Sequence, residues 1–116
     1  MMSHFSKPGI IVLLISLIHG CTGPSLFSET NAVRSSLFTY DGPAQSVCIS
    51  GDFNRWSPES HCLRRQKGVW KIQLMLPVGV YRYTFVINGK DWVADPKALF
   101  AETDGFGRSN AIAIIE

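Results

Sequence analysis

Apolar and polar residues alternate through most of residues 36–116, and the alternation is broken at regular intervals by Gly, Pro, Asn and Asp. Residues 69–76 show it best. Trp70, Ile72, Leu74 and Leu76 would share one face of a strand, with Lys71, Gln73 and Met75 on the other. Pro77 ends this strand and Gly79 opens the next, in which Tyr81, Tyr83, Phe85 and Ile87 face one way and Arg82, Thr84 and Val86 the other. Asn88-Gly89 is a strong hairpin signal, because both residues tolerate positive φ. Residues 91–94 pair back until Asp95-Pro96 breaks the run. Shorter strand signals occupy residues 36–40, before Asp41-Gly42-Pro43, and residues 47–49, before Gly51-Asp52; residues 111–115 form a last strand. No sustained helical period follows residue 20. The pattern predicts an all-β, immunoglobulin-like β-sandwich of two antiparallel sheets packed face to face.

The start of the chain is different. Residues 10–18 are apolar except for Ser16, and Lys7 precedes them. The run is shorter than the roughly 20 residues that span a bilayer, and has the length of a signal-peptide core. Next come Leu17-Ile18-His19-Gly20-Cys21. Ile18, Gly20 and Cys21 resemble the lipobox of bacterial lipoproteins, in which cleavage precedes a lipidated Cys; His19 departs from the small residue usual there. The resemblance implies a signal peptide at residues 1–20, a lipidated Cys21 and tether at residues 21–35, and a domain at residues 36–116. Thr22, in place of Asp, implies sorting to an outer membrane. Several acyl chains on one Cys would hold the protein far more firmly than one.

Removing 20 of 116 residues leaves 96, enough for one domain. The formal charge of +2 gives no electrostatic footprint for nucleic acid. Arg64, Arg65 and Lys67 cluster, but read as a solvated turn. Of the three cysteines, Cys48 and Cys62 remain beside the anchor, and an exported domain permits a disulfide between them; two free thiols are the alternative.

Gly51-Asp52-Phe53-Asn54-Arg55-Trp56, then Leu63, Gly68-Val69-Trp70, Gly79, Asn88-Gly89, Trp92, Asp95-Pro96 and Asn110 together resemble carbohydrate-binding module family 48, and within it the glycogen-binding domains of AMP-activated protein kinase beta subunits. The resemblance implies a platform for α-glucan. Trp56 and Trp92 stand at the positions of its two sugar-stacking tryptophans, Phe106 at that of an inserted Leu, and Asn110 at that of a hydroxyl-binding Asn. Thr84 replaces a Lys of the binding face, and Lys90 offers a substitute donor. An indole can cover the C–H face of a glucose ring, at about 1–2 kcal/mol per stacked ring.

The chemistry for catalysis is thin. Glycoside cleavage needs two placed carboxylates, yet Asp41, Asp52, Asp95 and Asp104 each adjoin Gly or Pro and read as turn formers. His61 and Cys62 are too few to hold a metal. The expectation is a non-catalytic module without cofactor or metal, which binds glycogen-like polymer or maltodextrin in the cell envelope and meets the membrane through its lipid. The alternative is an envelope sandwich that uses the same fold for contacts with a protein partner.

Overall fold

The computed structural model describes Gly9, Gly20 and residues 32–116. The expected signal peptide (apart from Gly9 and Gly20), the expected lipidation site Cys21 and most of the expected tether lie outside the described residues. Eight strands follow in order: β1 (Val33–Tyr40), β2 (Val47–Gly51), β3 (Arg64–Gln66), β4 (Val69–Pro77), β5 (Gly79–Ile87), β6 (Asp91–Val93), β7 (Phe100–Thr103) and β8 (Ser109–Ile115). The one helical element among the described residues is a 3-10 turn at Asp52–Asn54. The chain is all-β, with two antiparallel sheets.

The first sheet has the order β1-β4-β3. The second is centred on β5, whose residues 83–87 pair with β2 on one edge. The opposite edge is shared: β8 takes residues 79–83 and β6 takes residues 85–87, with β7 beyond β8. The period-two faces meet between the sheets. Phe38, Leu74 and Leu76 from one side pack with Val47, Ile49, Tyr83, Phe85 and Ile87 from the other, all buried. The rings of Phe38 and Tyr83 meet edge to face with centroids 5.0 Å apart, and Trp70 lies against this core, as its strand face requires.

Three elements differ from the sequence reading. Strand β1 begins at Val33 rather than residue 36, because the nine-residue β4 offers ladder partners as far as Pro77. Arg64 and Arg65 are not in a turn but in β3, paired with Lys71 and Trp70; the turn is Lys67-Gly68, at φ 50° and 81°. Strand β7 has no counterpart in the sequence pattern. Both β3 and β7 are exposed along their whole length, so neither carries an alternating signal.

The outer face of the β5 sheet positions the site. Cys48 pairs with Val86 and Val86 with Trp92, so the three form a row across β2, β5 and β6. Ser50 and Thr84 form the next row. Thr84 and Val86 point away from the core and are nonetheless buried. A second layer therefore covers this end of the outer face.

Candidate functional site

The layer is built by two turns that the fold brings together. The first follows β2. Gly51 must be glycine, since an added Cβ would sit 2.5 Å from the Arg82 carbonyl oxygen. Asn54 then ties the turn: its Oδ1 accepts from the Gly51 amide (3.0 Å), and its Nδ2 donates to the Ile49 carbonyl (2.9 Å). Arg55 and Trp56 both adopt left-handed backbone conformations, at φ 56° and 60°, which cost energy for residues with a Cβ. The turn bonds impose them, with the Trp56 amide donating to the Gly51 carbonyl at 3.0 Å. The indole Nε1 of Trp56 donates to Asp52 Oδ1 (3.2 Å), and Asp52 Oδ2 accepts the Arg82 amide of β5 (2.8 Å).

The second turn is the β5–β6 hairpin. Asn88 takes the left-handed conformation, and its Oδ1 accepts from the Gln45 amide at 2.8 Å, pinning the hairpin to the β1–β2 loop. Strand β6 returns alongside β5 and sets Trp92 opposite Val86, 38% exposed. The Thr84 hydroxyl donates to the Val93 carbonyl (2.9 Å), which fastens the two strands beneath the indole.

A cleft of about 540 Å³ lies between these turns and the β7–β8 loop. Trp56, Thr84, Trp92 and Asn110 all line it. Asn110 makes no side-chain hydrogen bond among the described residues, and its amide has both a donor and an acceptor to offer in the cleft. Thr84 is a floor residue whose proton is already committed to Val93. The cleft is within the usual size range for small-molecule sites.

Phe106 and Lys90 do not line the cleft. Phe106 sits at the tip of the β7–β8 loop, 92% exposed between Gly105 and Gly107, which take φ of 79° and 88°. Asp104 builds that tip, since its Oδ1 accepts from the amides of Phe106 (2.7 Å) and Arg108 (3.1 Å). Lys90 is exposed on the hairpin and reaches no cleft wall. In its place the cleft has Arg108, which sequence reasoning missed together with Asp104, Val93 and Ala94. The Arg108 guanidinium has no ion pair among the described residues, and its paired N–H groups suit two adjacent hydroxyls. The Asp-Gly turn signal and the resemblance at Phe106 pointed toward this loop, but neither singles out Arg108.

The other carboxylates serve structure. Asp95 Oδ2 accepts the Tyr83 hydroxyl (2.6 Å) and its Oδ1 the Lys97 amide (2.9 Å). Burial above all, then the bond to Asp95, pushes the Tyr83 phenol well above its ordinary range. Asp41 pairs with Lys97 at 3.1 Å. Arg82 is held by Glu102 at 2.8 Å and stays outside the cleft; this hydrogen-bonded pair raises the guanidinium pKa further. Cys48 and Cys62 are directly bonded, Sγ to Sγ 1.97 Å, with Cα atoms 3.8 Å apart.

Residues 34–116 match the family described as the glycogen recognition site of AMP-activated protein kinase. A 1,4-alpha-glucan branching enzyme of Rubrobacter xylanophilus is 35% identical over 81 residues, covering 65% of this chain and 11% of the enzyme. Protein PTST homolog 2 of Arabidopsis thaliana is 26% identical over 74 residues, covering 64% of this chain and 14% of that protein. The 5'-AMP-activated protein kinase subunit beta-1 of Sus scrofa is 35% identical over 63 residues, covering 54% of this chain and 49% of the subunit. The chain thus spans about a tenth of the branching enzyme's length and less than half of the beta subunit's.

Proposed function

The chain belongs to the AMP-activated protein kinase glycogen-recognition family of carbohydrate-binding modules, and from that premise we propose that it binds α-glucan without cleaving it, as an envelope protein held to a membrane by a lipid on Cys21. One observation carries the binding reading. Trp56 and Trp92, 36 positions apart in sequence, line one cleft together with Asn110, whose side-chain amide makes no hydrogen bond among the described residues. Two indoles supply apolar faces for sugar rings, while Asn110 and Arg108 supply hydroxyl contacts. Phe106 projects freely beside the cleft, where a longer glucan would meet it. The side chains of Asp52, Asp95 and Asp104 hold turns and Asp41 an ion pair, which supports a role in binding rather than in hydrolysis.

The N-terminal pattern supports the anchor: an apolar run of signal-peptide length followed by Ile18, Gly20 and Cys21. The site would then act outside the cytoplasm, on glycogen-like polymer or maltodextrin. Titration of the folded full chain with glycogen and β-cyclodextrin tests the central claim. Binding of either supports it, and a folded protein that ignores both rejects it. A second reading, a protein-contact module, draws on another observation. Val80 and Ile114 pair on the outer face of β5 and β8, both largely exposed, with Phe100 exposed on β7. Loss of glucan binding with this patch still required in the cell would favour it.

A further inference from the structure

The bridge between Cys48 and Cys62 joins the loop and the sheet that carry the two cleft tryptophans. Cys62 ends the loop that carries Trp56, and Cys48 lies in the row with Val86 and Trp92. The two cysteines face each other as an isolated antiparallel bridge pair. The flanking bonds run from the Ile49 amide to the His61 carbonyl and from the Leu63 amide to the Val47 carbonyl, both 2.8 Å. That pattern makes them a non-hydrogen-bonded pair, the position in an antiparallel ladder where side chains lie closest. The disulfide therefore clamps the far end of the Trp56 loop to the sheet that carries Trp92.

Without it, the loop end is held by those two backbone bonds and by Asn54, whose Nδ2 lies 3.1 Å from His61 Nδ1. These keep the fold, but they are exposed to fraying because residues 55 and 58–60 of the loop and Cys62 itself are open to solvent. The core does not depend on the bridge, since Val47, Ile49 and Leu63 are buried on the opposite face.

We propose that oxidation of Cys48 and Cys62 completes the glucan site, so that the dithiol chain folds but binds α-glucan about tenfold more weakly than the disulfide chain. This rests on the α-glucan reading of the cleft. In the oxidation, the two thiols give up two electrons and two protons to a disulfide oxidant, which departs as two thiols while the Sγ–Sγ bond forms. A chain made in a reducing compartment then carries a loosened site, and gains full affinity in an oxidising one. For an exported protein this keeps the newly made chain from being retained by glucan inside the cell.

The test compares the oxidised full chain, the same chain after dithiothreitol, and a Cys48→Val/Cys62→Val double variant, each titrated with β-cyclodextrin. Thermal melts and amide exchange across residues 52–62 accompany each titration. The expected result is a folded reduced chain with about tenfold weaker binding and faster exchange confined to the loop, the double variant matching it and ignoring reductant. Equal affinity of the oxidised and reduced chains overturns the proposal and leaves the α-glucan reading intact. Global unfolding of the reduced chain and the double variant overturns it too, because the bridge then serves the whole fold. Oxidised protein that binds no glucan overturns the α-glucan reading itself.

Discussion

Trp56 donates its indole Nε1 to Asp52 Oδ1 at 3.2 Å, and the same carboxylate accepts the Arg82 amide at 2.8 Å, so Asp52 couples a cleft indole to the central strand of its sheet. Trp56 sits on a turn with two left-handed residues in succession, and among the described residues the bond to Asp52 is the side-chain hydrogen bond of its indole. Asp52→Ala is expected to weaken β-cyclodextrin binding by about five- to tenfold, the equivalent of one ordinary hydrogen bond. Asp52→Asn, whose single amide oxygen can accept only one of these two N–H groups, should recover part of it. Isothermal titration of both variants decides the matter, and wild-type affinity in Asp52→Ala would remove Asp52 from the site.

Much of the sandwich is legible in the sequence because β4 and β5 are long, half-buried and aromatic, so burial imposes period two on the residues themselves. Strands β3 and β7 are three and four residues long and exposed throughout; their pairing is a consequence of β4 and β8 offering free edges, which no local pattern records. The site shows the same division. Trp56 and Trp92 stand next to turn signals and carry the family resemblance. Arg108 and Asp104 are not legible as cleft residues, although Asp104 adjoins Gly105, because the direction of a loop side chain depends on how Gly105 and Gly107 bend the chain. Lys90, offered as a donor from its place in the sequence, is carried off the cleft by the hairpin.

The two tryptophans of the cleft and the aromatic core should separate cleanly. Trp56→Ala or Trp92→Ala is expected to cost about 2 kcal/mol of glycogen binding, roughly thirtyfold, with a modest change in melting temperature. Trp70→Ala removes a ring packed against the core, and is expected to cost about 3–5 kcal/mol of stability. Melts and titrations on the three variants check this. A cleft variant that melts like Trp70→Ala, or binds like wild type, would contradict the assignment.

Tyr83 gives a pH prediction. Its phenol is buried and bonded to Asp95, so its pKa in the folded chain lies above that in the unfolded chain. The unfolded chain therefore releases the proton first, near the ordinary value of about 10. The stability contributed by the neutral phenol is complete below that pH and declines as the pH rises beyond it. Denaturant unfolding at pH 8 to 11.5 should show this decline in the wild type and a flatter profile in Tyr83→Phe. The variant should also lose about 1–2 kcal/mol at pH 8 for the missing bond. Parallel profiles would mean that Tyr83 does not control the alkaline limb.

The proposed anchor is tested apart from the cleft. Cys21→Ser is expected to abolish incorporation of labelled fatty acid and to leave a longer, uncleaved chain, while β-cyclodextrin affinity stays at the wild-type level. Unchanged labelling and mobility would reject lipidation, and His19, where a small residue is usual, would be the place to look for the reason.

Phe106 tests whether the site extends beyond the cleft. The ring is almost wholly exposed, and Asp104 spends two hydrogen bonds on holding the loop that displays it. Exposure of a whole aromatic side chain loses the roughly 1.5–3 kcal/mol that burial would provide. Contact with a bound ligand can recover part of that. A small ring ligand seated between the indoles need not reach Phe106, whereas a longer, curved glucan passing over the β7–β8 loop would. Phe106→Ala should therefore leave the melting temperature within about 1–2 °C of wild type, since no packing is lost. Glycogen affinity should fall by about three- to tenfold. Maltose, too short to span both places, should bind Phe106→Ala and wild type alike. An equal loss for maltose and glycogen would place Phe106 inside the primary subsite, and no loss for either would leave its exposure without a role in sugar binding.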